Sequence, residues 1–319
     1  MKYLKKTYTA GITIEVQKTY SARYGKTLQK EGRTGKSREA VKRYNEKTAQ
    51  RKLTRLINAN FKPGDTFVTL TYRRGNRPEP EDARKQRDRF LRLMRLYFKG
   101  QGEQMKYLGA SGVGERGAIH HHFIMNSADH REIKKCWPHG KAFCEPLWDN
   151  GEYSALAAYI YQQNRTGLDG KEQISGDRWC CSKNLVRPRP KVEEVSARTW
   201  KEPPAPVKGY IIDPDSVEVG FSPVTGIPYM FYRMVKIPPR SRIMAPDGRI
   251  LKNDAAALWI QQKNRRRLEE MYRAGRWNRT AHQEGRGKTC STPGGETEKR
   301  RRSPAGKSSI PAAPPAGKK

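Results

Sequence analysis

Residues 118–126 read AIHHHFIMN, and the spacing of the histidines in that run decides how the rest of the chain is read. Side chains alternate between faces along an extended strand, so His120 and His122 project together while His121 turns the other way with Ile119 and Phe123. Two neutral imidazoles on one face make half of a metal site before any partner is added. The competing reading, three rings packed and hydrogen-bonded in a polar core, suits His121 best because its face is the apolar one.

Working outward, residues 106–113 form the other arm of a hairpin closed by GERG, a turn-forming tetrapeptide at 114–117. Residues 66–72, TFVTLTY, are β-branched and aromatic and fit a largely buried central strand. From Ser37, a plausible N-cap, residues 37–61 keep Val41, Tyr44, Ala49, Leu53, Leu56 and Ile57 near one stripe of a long basic helix that ends at Pro63 and Gly64. In EDARKQRDRFLRLMRLYF, residues 81–98, Ala83, Phe90, Met94 and Tyr97 share a helical face, with acidic residues in the first turn. A further helix is predicted over 153–163. Residues 8–16 predict one strand followed by a loop. Residues 208–219, bent at Pro214, and 229–237 predict two more strands that complete a single, mainly antiparallel sheet.

The fold class is therefore α+β, a central antiparallel sheet flanked by helices. Residues 1–240 read as one domain, and 241–280 as a basic helical extension containing NDAAALWIQQKNRRRLEEMYRAGRW. Residues 281–319 read as a disordered basic tail rich in Pro, Gly and Ser. Its KRRR run at 299–302 suits either a tether to DNA or a merely solubilising tail.

Charge narrows the partners. The 319 residues carry 65 Lys and Arg against 32 Asp and Glu, a formal net charge of +33 that points to a polyanion, and nucleic acid is the natural one. No long apolar span argues for a membrane, and the start MKYLKKTYTAG lacks the apolar core of a signal peptide, so a cytoplasmic protein of a bacterial host is expected. Five cysteines with no C-x-x-C pair read as reduced thiols. Cys136, His139 and Cys144 lie near one another, but their spacing matches no standard zinc finger.

Taken in order, KRYNEKTAQRKLTRLINANF, GDTFVTLTY, ERGAIHHHFIMN, ALAAYIYQQN and RWCCSKNLVRP resemble the HUH endonucleases. The narrower resemblance is to the rolling-circle replication-associated proteins of phages and mobile elements, relatives of filamentous-phage and small single-stranded-DNA-phage initiators. It spans about residues 5–240.

The resemblance implies that His120 and His122 bind Mg²⁺ or Mn²⁺, with no small-molecule cofactor. Tyr159, on the helix after the histidine strand, would attack a phosphodiester and leave a 5′-phosphotyrosine. Single-stranded DNA at a replication origin would be the substrate, with a host helicase and polymerase as partners. Family members usually complete the metal site with an acidic or polar residue, but here the matching positions are Ala110, Ser111 and Gly112. Glu115 in the turn is the nearest acid. If Val113 paired with Ala118, Ser111 would face His120 and could fill the gap. The family's polar residue one turn after the tyrosine is replaced by Gln162 and Gln163. Tyr153 and Tyr161 point to other sides of the helix and read as packing residues.

For DNA, Arg178, Trp179, Lys183 and Arg187 combine cations with an aromatic ring, suited to stacking a base and holding phosphates. Arg51, Lys52 and Arg55 on the basic helix are expected to track the backbone. Two other functions fit the same residues: a conjugative relaxase or single-strand transposase of the same chemistry, and a noncatalytic single-strand-binding accessory protein.

Overall fold

The structure, a computed structural model, describes residues 3–20, 38–114, 117–148, 151–163, 179–223, 226, 228–238, 242–244 and 249–273. Its strands are β1 (Tyr3–Ala10), β2 (Thr13–Tyr20), β3 (Thr66–Thr71), β4 (Tyr107–Val113), β5 (Ile119–Met125), β6 (Ala142–Pro146), β7 (Cys180–Cys181), β8 (Lys191–Val195), β9 (Tyr210–Phe221), β10 (Pro228–Lys236), β11 (Arg242–Met244) and β12 (Ile250–Lys252). The helices are α1 (Arg38–Asn60), α2 (Pro80–Gly100), α3 (His130–Cys136), α4 (Ser154–Gln163), α5 (Ala197–Lys201) and α6 (Asn253–Arg273).

The histidine strand β5 sits in the middle of a five-stranded antiparallel sheet of order β6-β3-β5-β4-β7. Alternation divides its residues between two cores. Val68, Leu70, Phe123 and Met125 face α2 and α3, packing on Phe90, Met94, Ile133 and Trp137. Leu108, Ala110 and Ile124 face α1 and α4, packing on Leu53, Leu56, Ile57, Leu156, Ala157 and Ile160. Each such aliphatic or aromatic side chain contributes roughly 1.5–3 kcal/mol when fully removed from water, so register on this strand is firmly specified.

The expected single sheet is in fact two. Strands β9 and β10 join β1, β2 and β8 in a second five-stranded antiparallel sheet of order β8-β1-β2-β10-β9. The one strand expected over residues 8–16 is broken by Gly11, whose φ of 56° opens the turn between β1 and β2. A side chain at Gly11 would meet the Asn58 carbonyl oxygen at 2.1 Å, so α1 also demands a glycine there. The bend expected at Pro214 is present: pairing jumps from Phe231–Glu218 to Arg233–Asp213, leaving the residues around Pro214 in a bulge.

One face of the second sheet, with Val16, Ile212, Met230, Tyr232 and Met234, is covered by Leu268 of α6. The Asn264 side chain bonds the Ile212 backbone, so α6 is docked on the sheet and is not a separate extension. The opposite face meets α1 through polar groups: Asn58 Nδ2 donates to Thr13 Oγ1 at 3.2 Å, and the Arg51 and Arg55 guanidiniums lie over the Phe231 and Tyr8 rings. Helix α1 therefore lies between the two sheets, apolar toward one and charged toward the other. Residues 274–319, including the expected tail, lie outside the described residues.

Candidate functional site

Strand β5 and helix α4 bring the expected residues together. His120 and His122 project from one face of the sheet with ring centroids 4.9 Å apart. Above them, the Tyr159 hydroxyl lies 3.5 Å from His122 Nε2. Tyr159 is 40% exposed, whereas Tyr153 and Tyr161 on the same helix are buried in the core, as their helical angles predict.

Each imidazole is oriented by its other nitrogen. His122 Nδ1 bonds Thr69 Oγ1 at 3.0 Å, and Phe67 stacks on the ring at an interplanar angle of 3°. His120 Nδ1 donates to the Ala118 carbonyl at 3.3 Å. Partners of this kind fix a ring's tautomer and leave Nε2 as the coordinating atom. Burial, assisted by the neighbouring His120, pushes the His122 pKa down to about 4, so it is neutral at pH 7, the form in which imidazole binds metals. Burial raises the Tyr159 pKa, with the nearby Glu145 carboxylate adding to the effect, so its hydroxyl is protonated at neutral pH.

The third position is filled from an unexpected direction. Gln163 Oε1, one turn beyond Tyr159, lies 3.1 Å from His120 Nε2. With Nδ1 donating to Ala118, Nε2 presents a lone pair to this oxygen, and two facing acceptors are reconciled by a cation between them. Adjacent ligands of an octahedral ion with bonds of about 2.1 Å stand roughly 3.0 Å apart, so the pair is already at ligand spacing. Gly112, where a carboxylate was expected, sits beneath this turn: a Cβ there would meet the Gln163 carbonyl oxygen at 2.3 Å. The space of the missing acid is occupied by the end of α4. Two neutral nitrogens and an amide oxygen with open positions beside them fit a divalent metal, and fit Mn²⁺ better than Mg²⁺ because imidazole favours transition ions. Among the described residues no group of three or more His, Cys, Asp or Glu could hold a metal, the Cys136, His139 and Cys144 neighbourhood included.

Ser111 does not contribute. Val113 pairs with Ile119, not Ala118, because Gly114 N–H donates to the Ala118 carbonyl and closes the hairpin one residue earlier. With a period of two, that single step turns Ser111 to the opposite face, where its Oγ lies 2.6 Å from His121 Nδ1. His121 is fully buried between Ser111 and the Tyr72 hydroxyl, with its pKa driven to about 3 by burial first and then by nearby cations, as the packing reading expected.

The expected DNA contacts fare unevenly. Arg51 and Arg55 turn inward: Arg51 Nη2 lies 2.8 Å from Glu218 Oε2 in an ion pair without hydrogen-bond alignment, and Arg55 Nε lies 3.7 Å from the buried Glu15. They hold the second sheet on α1 and are not presented to a ligand. Trp179 is buried in the α1 and α4 core and cannot stack an unpaired base, while Lys52 lies over its outer edge at 5.6 Å. Lys183 and Arg187 are exposed. Glu115 and Arg178 lie outside the described residues.

The histidines, Tyr159 and Gln163 line a cavity of about 530 Å³ whose mouth is formed by Arg73, Arg74 and Arg77. These arginines, in the RRGNR run that follows β3, were missed; their signal was a basic cluster just past the strand paired with the histidine strand.

Residues 65–164 match the family model for the replication-associated protein ORF2/gene II protein. That stretch contains β3 through α4, and so every side chain of the His120, His122, Tyr159 and Gln163 cluster. The match supports a replication initiator of phage or mobile-element type, consistent with a nicking enzyme that works on DNA at an origin. No curated protein and no solved structure matches the chain. Among the described residues no helix is long and apolar enough to cross a membrane.

Proposed function

We propose that this protein nicks and rejoins single-stranded DNA at a rolling-circle replication origin, with the HUH chemistry that its histidine strand resembles. The observation that carries the reading is the Tyr159 hydroxyl 3.5 Å from His122 Nε2, at the edge of a cavity ringed by arginines. His120, His122 and Gln163 would hold a divalent ion, which when bound polarises the scissile phosphate and offsets charge in the transition state. The arginines at the mouth attract the DNA backbone and Thr69 keeps the His122 ring in place.

Tyr159 loses its proton and its oxygen attacks phosphorus. The bond from phosphorus to the 3′ oxygen breaks, that oxygen takes up a proton, and the 5′ phosphate stays on the tyrosine. The freed 3′-OH can prime synthesis. In the reverse step a 3′-OH attacks the phosphotyrosine and the phenol leaves, so the bond energy is conserved and no nucleotide triphosphate is needed for joining.

Incubation with Mn²⁺ and end-labelled single-stranded DNA carrying the origin should give a covalent adduct, mapped to Tyr159 by peptide sequencing, that EDTA abolishes. Tight binding with no adduct at any metal concentration would instead support a noncatalytic accessory protein.

A further inference from the structure

The cavity does not end at the histidines. Phe143 projects from the edge strand β6, in the cross-strand row formed by Phe143, Thr69, His122 and Ala110. It therefore stands on the same face as the histidines, two strand spacings or about 10 Å from His122. Its ring is 53% exposed. Helix α4 packs on β4 at the far side of the row and leaves the β6 side uncovered. A bare phenylalanine on an exposed sheet edge invites aggregation unless something covers it.

The charges around this ring are arranged by sign. Arg73, Arg74 and Arg77 are exposed at the mouth of the cavity, where β3 ends beside His120. Glu145, also exposed, lies two residues along β6 from Phe143 on the same face, in the row of Phe67 and close enough to Tyr159 to raise its pKa. A polyanion is drawn to the arginine end and repelled from the Glu145 end. An aromatic face between them suits a neutral, flat group attached to that polyanion.

We propose that these residues form a binding track for single-stranded DNA, with Arg73, Arg74 and Arg77 gripping consecutive backbone phosphates and Phe143 stacking the base of a nucleotide next to the scissile phosphate. The track rests on the proposed function in one respect: the phosphate it delivers is the one that meets Tyr159. A stacked base and fixed phosphates on either side would set the strand's direction across the site. Stacking on one ring is tolerant of sequence because every base has a π-face, so the track sets position and polarity, not base identity.

The full-length protein is titrated in EDTA with fluorescein-labelled oligo(dT) of about 12 nucleotides, a length within the span of common single-strand sites. At about 0.2 M salt, Phe143→Ala should weaken binding roughly 5- to 150-fold, the loss expected for one unstacked base. Phe143→Trp should bind as the wild type does. Replacing Arg73, Arg74 and Arg77 together by Ala should flatten the slope of log affinity against log salt by about 2, since each single-strand phosphate contact contributes roughly 0.7. A charge-matched control, Arg84, Arg92 and Lys99 replaced together by Ala on α2 beneath the opposite face, should flatten it by less than half as much. Wild-type affinity in Phe143→Ala, or equal slopes in the two triple variants, would overturn the track. Because neither metal nor cleavage enters the assay, a protein that fails to nick but shows these affinity losses refutes the nuclease and keeps the track. One that nicks while the losses are absent does the reverse.

Discussion

At the scale of single residues, the site is built from neutral donors, and that choice governs its chemistry. Gln163 stands where a carboxylate would bring charge, so metal affinity should be modest and selective for ions that accept imidazole. Gln163→Glu should lower the Mn²⁺ or Mg²⁺ concentration needed for half-maximal nicking, and Gln163→Ala should raise it, in each case by about 10-fold or more. A metal titration of the nicking rate reads both, and identical titrations for all three proteins would remove Gln163 from the metal site. Tyr159→Phe deletes only the attacking oxygen, so single-strand affinity should stay within about 2-fold while the adduct disappears. An adduct that survives would move the attack to another tyrosine. The histidines also couple stability to pH. An unfolded histidine takes up a proton near pH 6.5, whereas folded His122 refuses one until about pH 4 and His121 until about pH 3. The unfolded chain thus binds more protons across this window, and stability must fall as pH drops from about 6.5 toward 4. The loss should be on the order of a few kcal/mol, visible as a falling urea midpoint in metal-free buffer, and shallower in His122→Asn.

At the scale of elements, the contact between β4 and α4 decides whether the site closes. Gly112 lets the last turn of α4 settle on the sheet, and a Cβ there would also crowd His120 Nε2 at 3.2 Å. Gly112→Ala should lift the end of α4, carry Gln163 away from His120, and slow adduct formation by at least about 10-fold, as displacements of about 1 Å do. The fold should persist because the Leu156, Ala157 and Ile160 packing lies further back along the helix; circular dichroism with a quenched-flow adduct assay separates the two effects. These elements also differ in how far the sequence disclosed them. The alternation in TFVTLTY and AIHHHFIMN, and the helical period of Phe90 and Met94, are local patterns set by which face is buried, and they read correctly. The place of Gln163 was not legible, since it depends on a glycine 51 positions earlier in the chain. Nor was the second sheet. Strand β8, KVEEV, lacks an apolar face, and β1 looks continuous with β2 until α1 is seen pressing on Gly11. Arg51 and Arg55 looked like DNA ligands because their partners, Glu218, Phe231, Glu15 and Tyr8, lie far away in the chain and leave no local pattern.

At the scale of the whole molecule, the two sheets are joined through charge, and that junction reaches the catalytic helix. Glu15 on β2 is buried, and its pKa is raised by burial against the opposing pull of Arg233, Arg55 and Arg51. Arg233 Nε donates to Glu15 Oε1 at 3.3 Å, while its Nη1 donates to Glu152 Oε1 at 3.1 Å. Glu152 in turn accepts from the Ser154 backbone N–H at 3.0 Å, at the first residue of α4. A single guanidinium thus pins the start of the helix that carries Tyr159 to the second sheet. Removing one member of a buried pair strands the other, so Arg233→Met should cost about 3–5 kcal/mol in urea unfolding. Removing both with Arg233→Met and Glu15→Leu should recover most of that loss, because a buried ion pair repays little more than its own desolvation. Activity should not recover in parallel. Both variants lack the link from Arg233 to Glu152, so both should form the tyrosine adduct more slowly than the wild type at the same fraction folded. Recovered activity together with recovered stability would mean that α4 is held by its apolar packing alone and that the second sheet plays no part in placing the nucleophile.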